Sequence, residues 1–207
     1  MDKKLHWDNI FKSRGSEELG WHQDHLGLSL ELIQAAGLGL DASLIDVGGG
    51  DSTLVDDLLK LGYTHLTVLD ISSIALQRVR QRRGRRAAGV HWIEADITQA
   101  DLPRSAFNLW HDRAVFHFLT RPEDRQRYVR VVRQALKPGG FVILAVFALD
   151  GPERCSGLEV VRYDPQQLAG ELGGEFRLRD VRRETHCTPG GVEQKFIYCV
   201  FQTGITE

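Results

Sequence analysis

The chain has 207 residues, of which 42% are hydrophobic and 26% are charged, and its formal net charge at pH 7 is −2. That length suits one sizeable hydrophobic core and is short for two. The near balance of charge gives no global attraction to nucleic acid or to an anionic membrane, so we expect neither partner. Three widely spaced cysteines are a poor disulfide framework and favour a reducing compartment.

The start of the chain lacks the apolar stretch of a signal peptide. No apolar run reaches the roughly 18 residues that a membrane span needs. Together with the cysteine usage, these features predict a cytoplasmic protein.

Strand and helix patterns alternate along most of the chain. Residues 1–25 are polar with scattered aromatic side chains, and a segment of helical spacing follows from Leu26 to Ala36, ended by Gly37. Further helices are predicted at Leu54–Leu61, Ile74–Arg83, Arg125–Leu136 and Pro165–Leu172. Strands are predicted at Ser43–Val47, Leu66–Ile71, Val90–Glu94, Phe107–Trp110, Phe141–Phe147, Phe176–Arg183 and Gln194–Phe201.

Repeated strand–helix units predict parallel strands with helices on both faces of the sheet. The last two strands have no helix between them and should pair antiparallel. We therefore predict a single α/β domain with a doubly wound, mostly parallel seven-stranded sheet and an antiparallel C-terminal strand. Its expected parts are an N-terminal lid or helix (1–36), a ligand-binding core (40–150), and a substrate loop with the terminal strands (151–207). Ligands of such sheets bind at the carboxyl ends of the strands.

The first strand ends in a glycine-rich turn that opens a helix. Glycine permits a sharp turn close to a ligand, and the helix N-terminus offers free N–H groups. On its own this pattern fits a nucleotide, a dinucleotide or a purely structural turn. Gly48 and Gly50 match the dinucleotide pattern, but Thr53 replaces its third glycine. Asp46 precedes the glycines, where a carboxylate suits a cationic ligand without phosphate, such as S-adenosylmethionine.

The next two strands also end at carboxylates. Asp70 lies about 20 residues past the glycines, where an acid can accept both hydroxyls of a ribose. The alternative for Asp70 is a helix N-cap. Asp96 ends the third strand and can accept from an adenine amino group, while Ile97 can pack on the ring. Acids at successive strand ends favour one shared ligand site.

These motifs, followed by Leu-Lys-Pro-Gly-Gly-Phe before a central strand, resemble those of the class I S-adenosylmethionine-dependent methyltransferases. The resemblance covers about residues 40–150. Ser52 stands where the family often has a third glycine. The resemblance implies a Rossmann-like methyltransferase fold with S-adenosylmethionine as cofactor. It implies a cofactor site formed in this region by Asp46, Gly48, Gly49, Gly50, Ser52, Asp70, Ile71, Asp96 and Ile97.

A finer resemblance concerns the N-terminal segment. The aromatic lead of residues 6–11, with Trp21 ten residues on, looks like that of a branch that includes lysine methyltransferases of translation elongation factor. By that resemblance Trp7, Phe11, Trp21 and Arg113 contact the cofactor, whereas Trp7 and Phe11 are equally suited to be core anchors. Arg113 and His117 depart from the Glu-Lys-Gly-Thr-Leu-Asp segment of that branch, which leaves a lysine acceptor open.

The catalytic candidates are His111, Asp112 and His117, which follow the fourth strand. Methyl transfer from an activated sulfonium chiefly needs alignment, so a dedicated base is optional. A histidine with a pKa near its ordinary value of about 6.5 can relay a proton at neutral pH.

The acceptor is the least determined part of the sequence-based hypothesis. The chain lacks the Asn-Pro-Pro-Tyr and Pro-Cys signatures of nucleic-acid enzymes, and the arginine run of residues 78–86 is predicted to be a solvated face. The polar segment 150–158, Trp21, His22 and the turn at 186–191 are suited to enclose a small acceptor, so a small molecule is our first hypothesis and a protein lysine the second.

A non-catalytic module and an NAD-dependent enzyme are further alternatives. Cys155 and Cys187 also suggest, more remotely, a thiol-bound arsenic acceptor, and no oligomeric state is predicted.

Overall fold

The structure is a computed structural model that describes residues 2–204, with the side chains of residues 85–87 outside the description. Its helices are α1 (Lys3–Ser13), α2 (Gly27–Ala35), α3 (Leu54–Leu61), α4 (Ser73–Arg83), α5 (Pro122–Ala135) and α6 (Pro165–Leu172). Its strands are β1 (Ser43–Val47), β2 (His65–Asp70), β3 (Val90–Glu94), β4 (Phe107–Arg113), β5 (Leu136–Phe147), β6 (Arg154–Cys155), β7 (Leu158–Glu159), β8 (Phe176–Cys187) and β9 (Glu193–Thr203). Among the described helices, none has the length and hydropathy to cross a bilayer.

The main sheet has seven strands in the order β3-β2-β1-β4-β5-β9-β8. Strands β1 to β5 are parallel, and β9 runs antiparallel to both of its neighbours. The predicted mostly parallel sheet with an antiparallel C-terminal strand is therefore confirmed. The last strand lies inside the sheet between β5 and β8, so β8 forms the edge. Because the strand order reverses between β1 and β4, the carboxyl ends of these strands define the switch point where ligands bind.

Alternate residues of β5 supply the cores on the two faces of the sheet, since successive side chains in a strand point in opposite directions. Val142 and Leu144 pack in the cluster that also holds residues of α5 and α6. Ile143 and Phe147 pack in the cluster that holds residues of α2, α3 and α4. All four side chains are fully buried. The sheet is thus covered on both faces, and its strand ends are left to form the site.

Two element boundaries differ from the prediction in ways that matter for the site. Helix α5 begins at Pro122, because a proline at the first helical position needs no N–H partner. Strand β4 continues beyond Trp110 as far as Arg113. The polar residues in this extension hide the strand pattern, but His111 and Asp112 are buried and find partners inside the protein.

The polar N-terminal segment forms a regular helix that packs over the strand ends. Helix α1 is capped by Asp2, whose side chain accepts from the backbone N–H of Leu5 at 3.1 Å. The Trp7 ring lies 5.9 Å from that of Trp21. Phe11 is 4% exposed and lies at the same distance from Trp21. These aromatic contacts attach α1 to the segment that leads into α2.

The arginine run on α4 is only partly a solvated face, because Arg78 and Arg83 are partly buried, and Arg82, although exposed, is ion-paired. Arg78 and Arg82 pair with Asp51 at 3.3 Å and 2.7 Å. Arg82 also reaches Asp56 at 3.0 Å, and Arg83 pairs with the same carboxylate. These contacts join α4 to the glycine turn and the start of α3. The side chains of residues 85 and 86 lie outside the described residues.

Arg78→Ala is expected to loosen α1 from the sheet. The Arg78 guanidinium donates to the backbone carbonyls of Phe11 and Arg14 and lies over the Phe11 ring, and charged hydrogen bonds of this kind contribute about 1.5–3 kcal/mol each. Hydrogen exchange should therefore accelerate in residues 3–13 while it stays unchanged in β1 and β5. Arg80→Ala on the same helix, where Arg80 is exposed, is the matched control. Equal protection of α1 in both variants would contradict this role of Arg78.

Candidate active site

A large cavity opens at the carboxyl ends of β1 to β4 and is covered by α1 and the segment that follows it. Its lining includes most of the residues that the sequence singled out, although they are spread over more than 100 positions. The predicted residues that line it are Trp7, Phe11, Trp21, Asp46, Gly48, Gly49, Ser52, Asp70, Ile71, Asp96, Ile97, His111 and Arg113. Gly50, Asp112 and His117 are not among the described residues that line it.

The glycine turn forms a tight cradle with no room for side chains. Gly48 has φ of 68°, and a Cβ placed there would lie 2.0 Å from a methyl group of Val115. Gly50 has φ of 29°, and a Cβ placed there would approach the Asp70 carboxylate to 2.7 Å. Glycine is therefore required by backbone conformation and by close approach at both positions. Without side chains at Gly48 and Gly49, the backbone of the turn lies directly at the wall of the cavity.

Asp70 is a buried carboxylate at the end of β2. One of its oxygens accepts from the backbone N–H of Ser72 at 2.8 Å, and Gly50 also supplies a backbone N–H. Burial raises the pKa of Asp70 to about 7, with further repulsion from Asp46 and Asp8. Two backbone donors do not offset this desolvation. Asp70 therefore lies in the cavity as a carboxylate that additional hydrogen-bond donors would stabilise.

The end of β3 provides a polar and an apolar wall. Asp96 accepts from both the backbone N–H and the hydroxyl of Thr98 with one oxygen, at 2.9 Å and 2.8 Å. Its other oxygen lies 4.0 Å from the Lys3 ammonium of α1. Ile97 is 5% exposed and lines the cavity beside it. This pairing of an acceptor with an apolar side chain suits the edge and face of a planar ring.

Asp46, His111 and Ser29 form a buried hydrogen-bonded chain. The Nδ1 atom of His111 lies 2.7 Å from the Asp46 carboxylate, and its Nε2 atom lies 2.9 Å from the Ser29 hydroxyl. In the neutral ring, Nδ1–H donates to the carboxylate and Nε2 accepts from the hydroxyl, which fixes the tautomer. Ser29 was not predicted, because nothing in the pattern of α2 distinguishes it from a core residue.

Asp112 lies inside the protein, where hydrogen-bond donors of neighbouring residues surround its carboxylate. The Asp112 carboxylate is fully buried and accepts from the Tyr128 hydroxyl at 2.6 Å and from the backbone N–H groups of Val115 and Phe116 at 2.8 Å and 3.2 Å. Burial raises the pKa of Asp112 to about 6. Its donors are all internal, so the geometry favours a role in shaping the turn after β4 over a role in catalysis.

His117 is also enclosed away from the cavity. Its ring is fully buried and packs against Phe118 and Phe147 at centroid distances of 4.5 Å and 4.6 Å. Burial, and secondly the charge of Arg113, lowers the pKa of His117 to about 3. A ring that stays neutral and out of contact with the cavity is not placed to relay protons to a ligand there. Of the three catalytic candidates, only His111 faces the cavity.

Beyond β4 the cavity has a second half with a different character. Arg113 ends β4, and Ala114 follows with φ of 72°. The lining of this half also includes Cys155 and Phe196. His22, which we predicted to help enclose the acceptor, also lines the cavity. Additional residues that sequence reasoning missed here are Gln23 and Gln194.

The three cysteines differ in their surroundings. Cys155 lines the cavity, Cys187 is exposed and Cys199 is fully buried in the core. Burial raises the pKa of the Cys155 thiol, which keeps it protonated at neutral pH. Within the described residues, no three histidine, cysteine or acidic side chains group in a way that could hold a metal ion. The structure therefore lends no support to a thiolate-bound metalloid.

Solved structures of other proteins share this fold. The chain is similar to the 1,6-didemethyltoxoflavin-N1-methyltransferase of Burkholderia thailandensis, with a TM-score of 0.70 and 18% identity over 97% of this chain and 88% of that chain. The predicted Rossmann-like methyltransferase fold is confirmed by this likeness.

The sequence comparisons agree with the fold. Residues 45–142 match the family described as "Methyltransferase domain". The eEF1A lysine and N-terminal methyltransferase of Mus musculus is 24% identical over 134 residues, which are 65% of this chain and 19% of that protein. The EEF1A lysine methyltransferase 2 of Homo sapiens is 22% identical over 160 residues, which are 70% of this chain and 67% of that protein.

The chain thus spans about a fifth of the length of the first of these relatives. Residues 45–142 thus match a methyltransferase domain, and the fold is that of the class I methyltransferases, as the motifs predict. S-adenosylmethionine is the cofactor of this class, in agreement with the prediction from Asp46 and the missing third glycine.

Proposed function

We propose that this protein transfers a methyl group from S-adenosylmethionine to a small-molecule acceptor. The observation that carries the proposal is the row of carboxylates at the ends of β1, β2 and β3, which line one cavity beside a glycine cradle. Asp70 supports the fit most directly, because it is buried with its pKa raised to about 7 and gains from additional donors. The two hydroxyls of a ribose are donors of that kind.

The other parts of the cofactor match the remaining walls. We assign the methionine portion to Asp46 and the glycine turn, the ribose to Asp70 with Ile71, and the adenine to Asp96 with Ile97. The aromatic side chains of Trp7, Phe11 and Trp21 would cover the bound cofactor from the side of α1. When bound, S-adenosylmethionine supplies a methyl group already activated by the sulfonium charge.

In this arrangement the chain's own residues align and shield the reactants. His111 holds the Asp46 carboxylate in place and is itself fixed by Ser29, so we assign it a positioning role. Both ring nitrogens of His111 have partners, which makes it a poor proton acceptor for a ligand. The aromatic cover excludes water from the reacting atoms. No dedicated base is required if the acceptor atom is already unprotonated.

The charge in the half of the cavity beyond β4 favours a small acceptor over a lysine. Its described lining carries the Arg113 guanidinium, and the acidic lining residues lie in the cofactor half. A buried cation disfavours the approach of a lysine ammonium. The names of the lysine-methylating relatives nevertheless make a protein lysine the second candidate. A binding module without activity is the third.

The acceptor class can be tested with methyl-labelled S-adenosylmethionine and a cell extract. After incubation with the protein, the extract is separated into small-molecule and protein fractions. We expect label in the small-molecule fraction, and none in either fraction with Asp70→Asn as the matched control. Label in the protein fraction would replace our proposal by lysine methylation. Cofactor binding without transferred label would favour the non-catalytic module.

A further inference from the structure

The Arg113 guanidinium is a buried cation with an incomplete set of hydrogen bonds. Its side chain is 6% exposed. Its Nε–H donates to the Tyr198 hydroxyl at 3.0 Å, and Nη1–H donates to the backbone carbonyl of Trp21 at 3.1 Å. Nη2 is buried and has no hydrogen-bond partner among the described residues. The Glu184 carboxylate lies 3.8 Å from Nη2, beyond hydrogen-bond distance.

The guanidinium is held in a fixed orientation. It lies over the Phe196 ring with its central carbon 4.9 Å from the ring centroid. The Tyr198 hydroxyl that accepts from it donates to Glu184 at 2.8 Å. These contacts leave Arg113 little freedom to turn Nη2 toward another acceptor. Arg113 lines the cavity while Nη2 itself is covered, so a ligand in the cavity becomes the partner of this N–H group once the neighbouring side chains move aside.

Gln23 provides a second buried atom without a partner, and its amide orientation is well determined. The Nε2 atom of His186 lies 2.9 Å from the Gly20 carbonyl, so it carries the proton and Nδ1 is an acceptor. Nδ1 then accepts from the amide nitrogen of Gln23 at 3.1 Å, and Glu184 lies 3.5 Å from the same nitrogen. The Gln23 oxygen is consequently the free atom. It is buried and has no hydrogen-bond partner in the described part of the chain.

We propose that Arg113 and Gln23 form the binding subsite for an anionic acceptor. The acceptor would carry a carboxylate, or an equivalent anionic oxygen, that accepts from Nη2 of Arg113. It would also carry an O–H or N–H group that donates to the Gln23 oxygen. This inference rests on the proposed function, since it assigns the substrate class of the same site.

The position of the guanidinium distinguishes an acceptor from the cofactor. Its partners belong to β8, β9 and the segment before α2, whereas the carboxylates assigned to the cofactor end β1, β2 and β3. Strand β9 lies two positions beyond β4 in the sheet, at about 4.8 Å per strand. Two of the partners of Arg113 thus lie on the β9 side of the cavity, and the third is the backbone of Trp21, which we assign to the cofactor cover. Contact of Arg113 with the cofactor, which the resemblance to the elongation-factor branch implies, is the alternative that the titrations below decide.

The proposal can be tested by calorimetric titration of the protein saturated with S-adenosylhomocysteine. The probes are benzoate, its ring-hydroxylated forms, and benzamide as the neutral analogue of the same shape. We expect benzoate to bind at least about tenfold tighter than benzamide, as a charge-assisted hydrogen bond implies. Ring hydroxylation should strengthen binding in at least one isomer, and Gln23→Met should remove that gain.

The variants separate the acceptor role from the alternatives. Arg113→Gln should abolish the preference for benzoate while the affinity for S-adenosylhomocysteine changes by less than about threefold. Arg113→Lys should keep part of the preference, because the charge remains without the planar fork. Thermal melting of each variant reports whether it is folded.

Two outcomes would overturn the subsite. One is equal binding of benzoate and benzamide by the unmodified protein. The other is a loss of about tenfold or more in S-adenosylhomocysteine affinity in Arg113→Gln, which would assign the guanidinium to the methionine carboxylate. Failure of the unmodified protein to bind S-adenosylhomocysteine would instead contradict the proposed function, so the two failures are distinguishable.

Discussion

Replacing Asp70 by Asn is expected to weaken S-adenosylhomocysteine binding by about 100-fold or more. Two charge-assisted hydrogen bonds from the ribose hydroxyls, at about 1.5–3 kcal/mol each, account for a loss of this size. Calorimetric titration of both proteins measures it. Ser72→Ala is a useful comparison, because it changes the neighbouring helix cap and keeps the carboxylate. An affinity of Asp70→Asn close to that of the unmodified protein would remove the ribose assignment.

The same carboxylate should make cofactor binding depend on pH. The pKa of Asp70 in the ligand-free protein is raised to about 7, and ribose hydroxyls bind the ionised form. Affinity should therefore rise about tenfold from about pH 6 to about pH 8, as the ionised fraction grows. In Asp70→Asn this dependence should disappear.

Asp70→Asn should also stabilise the ligand-free protein above neutral pH. A folded-state pKa of about 7, against an ordinary value of 3.8, means that the native state binds the proton more tightly than the unfolded state. Stability is consequently lost as pH rises from about 4 to about 7, by an amount of at most about 4 kcal/mol. The Asn variant does not ionise and avoids this loss. A lower melting temperature for Asp70→Asn at pH 8 would contradict this account.

Replacing Asp112 by Ala is expected to have the opposite effect on stability. The carboxylate serves the Tyr128 hydroxyl and the backbone N–H groups of Val115 and Phe116. Each buried donor left without an acceptor costs about 1–3 kcal/mol, so the variant should lose about 3 kcal/mol or more of unfolding free energy. Urea denaturation measures the loss.

Tyr128→Phe is the matched control for Asp112→Ala. It removes one donor to the carboxylate, together with the partner of Trp110, whose indole N–H donates to the Tyr128 hydroxyl at 2.8 Å. We expect a smaller destabilisation, of about 1–3 kcal/mol. If Asp112→Ala retained full stability and lost methyl transfer, the carboxylate would be part of the catalytic machinery after all.

The cofactor half of the site could be predicted from sequence because its signals are local. Each acid follows a buried strand directly, and parallel strands bring their carboxyl ends to one edge of the sheet. Asp46, Asp70 and Asp96 therefore meet in one cavity as expected. The glycines are recognisable because the turn after β1 has room for no other residue.

The acceptor half could not be predicted in the same way. It depends on contacts between distant segments, such as those of Gln23 with Glu184 and His186, which are 161 and 163 residues away. The insertion of β9 between β5 and β8 brings Tyr198 and Phe196 to Arg113, and a strand order cannot be deduced from spacing alone. The structural role of Asp112 was hidden for a related reason, since its donors come from a turn and from α5.

The central claim is that S-adenosylmethionine binds across the ends of β1, β2 and β3. Titration of the unmodified protein with S-adenosylhomocysteine and, separately, with NAD tests it most directly. We predict binding of one equivalent of S-adenosylhomocysteine and no binding of NAD, because Thr53 replaces the third glycine of the dinucleotide pattern and Asp46 disfavours a pyrophosphate. Absence of S-adenosylhomocysteine binding, or saturable binding of NAD, would contradict the account.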